Sequence, residues 1–156
     1  MNLENFEDIK VLMDNFDPAT LLPDLGTMVG KVEFITRIAV LAGPIVLLVM
    51  GILYFFASPK EANYRFGYRC YFGMGSEEAW RFTQRFAGLV WAAVGLVLTI
   101  VMTVITGSFP GKPIMDIIGS GAKCLFWEFG ITLVSILVIN IVVMLCFNSR
   151  GYRRRH

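Results

Sequence analysis

Charge is what this chain has least of. Only 17% of its 156 residues are Asp, Glu, Lys or Arg, against the ~25% usual in soluble domains, while 56% are hydrophobic. That balance argues against a water-soluble domain and fits a small integral membrane protein. Histidine occurs once, as the terminal His156. Cysteine occurs three times, as Cys70, Cys124 and Cys146, without metal-ligand spacing. The odd number excludes complete internal pairing, so unpaired buried or membrane-edge thiols are expected. The N-terminus has neither the basic nor the apolar region of a signal peptide, so the spans themselves are expected to drive insertion. No nucleophile stands with a base, and no metal cluster or phosphate-cradling loop is present. The reading is therefore of a non-enzyme without cofactor or metal, and nothing points to a nucleic acid partner.

Long apolar runs are what the chain does have. At about 1.5 Å rise per residue, a helix needs about 20 apolar residues to cross a ~30 Å hydrocarbon core. Three windows reach that length, roughly Phe34–Ala57, Phe86–Thr106 and Leu125–Phe147. The first has Arg37 at its edge and Gly43-Pro44 inside, where the missing N–H should bend the helix. The second carries no charge, and the third carries only Glu128. In lipid each must be helical to satisfy its own backbone. The fold class is an all-α integral membrane protein with three transmembrane helices.

The net charge of +2 hides a segregation of sign. Residues 1–33 hold seven acids and two lysines, whereas residues 148–156 hold four arginines and no acid. The connection after the first span holds Lys60, Arg65, Arg69, Arg81 and Arg85, and the connection between the second and third spans only Lys112 and Lys123. Basic segments mark the cytoplasmic side, so the loop 58–85 and the tail 148–156 are expected in the cytoplasm, with residues 1–33 outside. In that arm Leu3, Phe6, Ile9, Met13 and Phe16 fall near one helical face, which reads as an amphipathic surface helix. Asp17-Pro18 can open a second short helix, which Pro23 and Gly26 then interrupt. Packing on the outer ends of the spans and a lid or partner surface are both open to this arm. Ile114–Gly119 is expected to graze the membrane interface.

The densest segment is Asn63–Gly88. Gly67 and Gly73/Gly75 offer turns at positive φ, and Tyr64, Phe66, Tyr68, Tyr71 and Phe72 suit the headgroup zone. Ser76 is a good N-cap, with Glu77 and Glu78 on the first turn where the helix dipole favours them. Ala79 stands where a full capping box would need Glu or Gln. From Glu77 the helix is expected to run unbroken into the second span for about 30 residues, roughly 45 Å. Trp80, Gln84 and Gly88 share one face, Arg81 and Arg85 the next, and Glu77 can pair with Arg81.

This segment resembles the signature of the SdpI family, small bacterial membrane proteins named for an immunity protein against a secreted peptide toxin. The residues that carry the resemblance are Asn63, Gly67-Tyr68-Arg69, Met74, Ser76, Glu77 or Glu78, Trp80, Gln84 and Gly88. With the flanking spans it covers roughly three-quarters of the chain. Cys70 stands where the family usually has Thr, and Gly73 where a hydroxyl residue is common. Longer relatives have additional membrane helices before this unit, and here the acidic arm takes their place. The resemblance implies protection against membrane-active peptides, or signalling through a cytoplasmic repressor. The alternatives are a small transporter or channel-like protein (or accessory subunit), and a membrane scaffold docking a cytoplasmic partner. Expected partners are membrane lipid, a peptide toxin or cytoplasmic regulator, and further copies of the chain.

Several residues carry two readings. Arg69 is either a lipid-phosphate anchor or the centre of a folded cap closed on Glu77 or Glu78. Trp80 is an interfacial anchor or a ligand platform. Glu128 reaches the interface, meets Lys123 or Lys112, or lines a polar path with Thr132 and Ser135; Asn140, pointing elsewhere, suits interhelical hydrogen bonding. Gly88, Ala92, Gly95, Thr99 and Thr103 form a small-residue stripe, the packing face for another helix within the chain or across a dimer. A homodimer or higher oligomer through that stripe is the expectation.

Overall fold

A computed structural model describes residues 25–59, 62 and 66–154. Three helices make up almost all of it. Helix α1 spans Leu25–Phe56, α2 spans Glu77–Gly107 and α3 spans Ile114–Cys146. All three are long and apolar enough to cross a membrane, as the hydrophobic windows predict. Less than a third of each apolar window is buried within the protein. The outward faces carry exposed Ile35, Val104, Phe126, Trp127 and Phe129, a surface that water would disfavour and lipid would not.

The helices overrun the windows. Helix α1 begins at Leu25, so residues 25–33 of the expected outer arm belong to the first span, and Gly26 continues the helix instead of interrupting it. The amphipathic helix expected over residues 3–16 and the Asp17-Pro18 start lie outside the described residues. Helix α3 begins at Ile114, so Ile114–Gly119 is its first turn and a half. Pro113 precedes it, and Asp116 sits on the first turn, where the dipole favours an acid. Helix α2 runs unbroken from Glu77 for 31 residues, as expected.

Helices α1 and α2 meet through glycine. A methyl group on Gly88 would sit 2.6 Å from Phe55 N and 2.8 Å from Gly51 O, and one on Gly51 or Gly95 would fall onto the backbone of Ala92 or Leu48. Thr99 turns its hydroxyl back to Gly95 O at 2.7 Å, and Thr103 to Thr99 O at 2.7 Å, so neither leaves a polar group facing α1. Small residues allow such close backbone approach in lipid, where packing replaces the hydrophobic drive between helices. The stripe Gly88–Ala92–Gly95 is therefore occupied by α1. This corrects the expectation of a dimer through that face: the helix it packs against lies within the chain.

At the end where α1 starts and α2 finishes, Arg37 donates to Glu33 Oε1 (2.8 Å) and to Thr106 O (3.2 Å), placing a cation on the C-terminal carbonyls of α2. The turn to α3 uses Gly111 at φ 80° and tucks in Phe109, which is fully buried. Two apolar clusters fill the bundle. Val40, Leu47, Leu98, Met102 and Cys124 form one, and Tyr54, Tyr68, Ala87, Ile139, Val143 and Phe147 form the other, with Trp91 packed against both.

Candidate functional site

The loop folds against the bundle end with Gln84, where the sequence suggested Arg69, at its centre. Between α1 and α2 the chain turns back over the bundle end, passing a short 3₁₀ turn at Phe72–Met74. Gln84 projects from the first turns of α2 and is completely buried. Its Oε1 accepts from Tyr68 N at 2.7 Å, and its Nε2 donates to Tyr68 O at 2.7 Å. One amide side chain thus satisfies both backbone groups of one loop residue, as a neighbouring strand would. Gly67 makes this approach possible: its φ is 123°, and a Cβ there would lie 2.7 Å from the Trp80 ring and 2.9 Å from Gln84 Oε1. Both conformation and space demand glycine.

Trp80 is also fully buried, and its indole N–H donates to Pro59 O at 2.9 Å. It is neither an interfacial belt residue nor an open platform; it ties the exit of α1 to the start of α2. Tyr68 descends from the clamp into the bundle. Its ring meets Trp91 edge-on, with centroids 5.4 Å apart, and its hydroxyl reaches Ile136 O at 3.4 Å and the side chain of Asn140. Asn140 joins α3 to this loop residue, where the sequence suggested a bond to another helix. Burial, and secondarily the neighbouring Cys70, push the Tyr68 phenol up to about 12. Burial also pushes the Cys70 thiol up.

The expectation of positive φ at Gly73 and Gly75 needs correction. Only Gly67, Gly111 and Gly151 have positive φ among the described residues, and Gly75 is right-handed at −74°. Crowding explains both glycines. A Cβ on Gly73 would lie 2.5 Å from Thr83 Oγ1 and 2.8 Å from Cys70 Sγ, and one on Gly75 would lie 2.6 Å from Gly151 N. The second contact exposes a feature that sequence reasoning missed. After Phe147 the basic tail folds back as a tight antiparallel turn, with Asn148 N donating to Tyr152 O and Arg154 N to Cys146 O, both at 2.9 Å. Asn148 Oδ1 accepts from Arg150 N and Tyr152 N. Ser76 holds this turn in place. Its Oγ accepts from Ala79 N at 3.1 Å as the N-cap and donates to Gly151 O at 2.6 Å. The pairing of an Asn with a Gly three residues on was the available signal for this turn.

The charged motif residues stay outside this core. Arg69, Glu77 and Glu78 are exposed, and Glu77 accepts from Arg81 one turn on, as its spacing suggests. Asn63 lies outside the described residues. Glu78, Arg81, Arg85 and Arg153 border a groove of about 470 Å³ floored by Phe82, Phe86 and Phe147.

The third span holds a second candidate. Glu128 lies roughly 21 Å along α3 from Ile114 at about 1.5 Å per residue, well inside the bundle. It is only 7% exposed and packs against Gly43, where a Cβ would be 3.0 Å from its Oε2. Lys112 bonds Ser108 Oγ instead. Glu128 and Thr132 border one cavity between the helices, while Ser135 is buried and donates to Thr132 O at 2.7 Å.

Three apolar helices and a loop built from inward-turned motif residues define a multi-pass helical membrane protein with a structured cap. A model of the SdpI/YfhL protein family matches residues 59–147. The chain belongs to that family, and the match runs from the Trp80 acceptor Pro59 through the whole of α2 and α3. No curated protein and no solved structure matches the chain.

Proposed function

We propose that this chain is a bacterial plasma-membrane protein that gives resistance to a membrane-active peptide, or signals the presence of one. The observation that carries the reading is the cap, which is built on Gly67, Ser76, Trp80 and Gln84, four of the residues that carry the family resemblance. In this reading the cap and the basic tail face the cytoplasm, where the Arg81–Arg85–Arg153 groove offers a regulator a charged docking surface. The acidic arm then lies outside, where opposite charge speeds encounter with a cationic peptide. Further copies of the chain would meet through faces other than the α2 stripe. No catalytic role is assigned. Cells expressing the protein should survive a cationic membrane-active peptide that kills cells lacking it. Equal killing across a broad panel would count against the reading.

A second reading has its own observation. The cavity at Glu128 favours a small transporter-like or accessory role in which a solute enters the bundle. Vesicles containing the protein should then pass a solute that empty vesicles retain, and Glu128→Gln should abolish that flux.

A further inference from the structure

A cavity of about 420 Å³ lies between the three helices at Gly43-Pro44 of α1, Trp91 of α2 and Glu128 of α3, within the ~300–1,000 Å³ range of small-molecule sites. Leu47, Met50, Leu98 and Phe129 make its walls apolar. Glu128 is buried there with no hydrogen bond to Oε1, and Trp91 Nε1, also buried, likewise donates to nothing. Pro44 has no N–H to offer the Val40 carbonyl one turn earlier. The basic groups nearest in sequence are engaged or remote: Lys112 bonds Ser108, Arg37 bonds Glu33 and Thr106 O, and Lys123 borders a different cavity. No ion pair to Glu128 exists among the described residues.

We propose that this cavity is a binding site for a lipophilic organic cation, with Glu128 as its counter-ion. An isolated carboxylate in apolar surroundings is costly unless paired, and intramembrane carboxylates are usually paired or functional. The missing partner must bring one positive charge and an apolar body, because the walls offer nothing else polar beyond Thr132 and the Trp91 N–H. A small hydrated cation would meet too few oxygen ligands here. A dispersed charge on a hydrophobic body matches the apolar walls, and the Trp91 and Phe129 rings can add cation–π attraction. An acceptor on the same molecule would also satisfy the Trp91 N–H. Entry is lateral, from lipid: Val46 and Phe129 border the cavity and are 60% and 65% exposed on the outward apolar surface.

The inference takes from the transporter-like reading only the site, and it requires binding without requiring flux. Tetraphenylphosphonium is the probe, titrated into the protein in lipid nanodiscs with empty nanodiscs subtracted. Saturable one-to-one binding is expected, weakened at least tenfold in Glu128→Gln, whose melting temperature should equal or exceed that of the wild type. Tetraphenylborate, of the same shape and opposite charge, should not bind saturably. In the wild-type protein, tetraphenylphosphonium should also slow carbodiimide labelling of Glu128 severalfold, a readout that needs no variant. Binding without flux leaves the inference standing and removes the transport reading alone. Equal binding by Glu128→Gln, equal binding of the borate, unslowed labelling, or no saturable binding in the wild type would each overturn the inference.

Discussion

Tyr68 shows how one loop residue is held from three sides. Gln84 fixes its backbone, Trp91 meets its ring, and its hydroxyl donates to Ile136 O and bonds the Asn140 side chain. Burial raises its pKa from an ordinary value near 10 to about 12, so the folded state favours the neutral phenol. The sign follows: stability from this residue is intact below about pH 10 and is lost as pH rises toward about 12. Alkaline titration followed by tyrosinate absorbance should therefore show late ionisation whose amplitude falls by one tyrosine in Tyr68→Phe. Thermal stability of the wild type should fall over that same interval. Much of this site is legible from residue types alone, because a Gly before an aromatic, a capping Ser and a buried-face Gln each have a local signature. The partner assignment is not: Arg69 looks like the natural closing residue by charge, yet the contact at the centre is a neutral amide on a backbone. A side chain bonding to main chain sixteen residues away leaves no trace in composition or periodicity.

The elements are joined where backbones touch. Ser76 serves both α2 and the tail turn, so Ser76→Ala removes an N-cap worth about 1 kcal/mol and frees the Gly151 carbonyl as well. A loss of about 1–2 kcal/mol in unfolding stability is expected, with earlier proteolysis of the tail than in the wild type. Ser76→Thr should retain most of both. The helices themselves follow from the apolar runs, but their ends do not. Window hydropathy finds where lipid must be, whereas α1 and α3 continue past it, α1 through Lys31 and Glu33 and α3 through Asp116 and Lys123, because helical hydrogen bonding does not stop at the edge of the hydrocarbon. The tail turn is easily passed over for a related reason: four arginines speak of membrane sidedness and draw attention from the Asn148–Gly151 pair that signals it.

For the whole molecule, the decisive packing is α1 against α2. The small-residue stripe identifies a close helix contact correctly, but a stripe on one helix cannot say which helix covers it; Gly51 on α1 is the complement. Gly88→Leu should therefore lower the melting temperature, since overpacking of this kind costs about 1–3 kcal/mol or more. The detergent-corrected mass should stay unchanged. A reduced mass with unchanged melting would instead mean that the stripe joins two copies. The account as a whole rests on the loop being part of the folded body, and amide hydrogen exchange in lipid nanodiscs measures that directly. Residues 66–76 should exchange slowly in the wild type, with the Tyr68 amide protected by Gln84. In Gln84→Ala, which leaves two buried backbone groups unpartnered at about 1–3 kcal/mol each, that segment should exchange faster while α2 and α3 remain protected. Exchange of residues 66–76 at the rate of an open linker in the wild type would contradict the account.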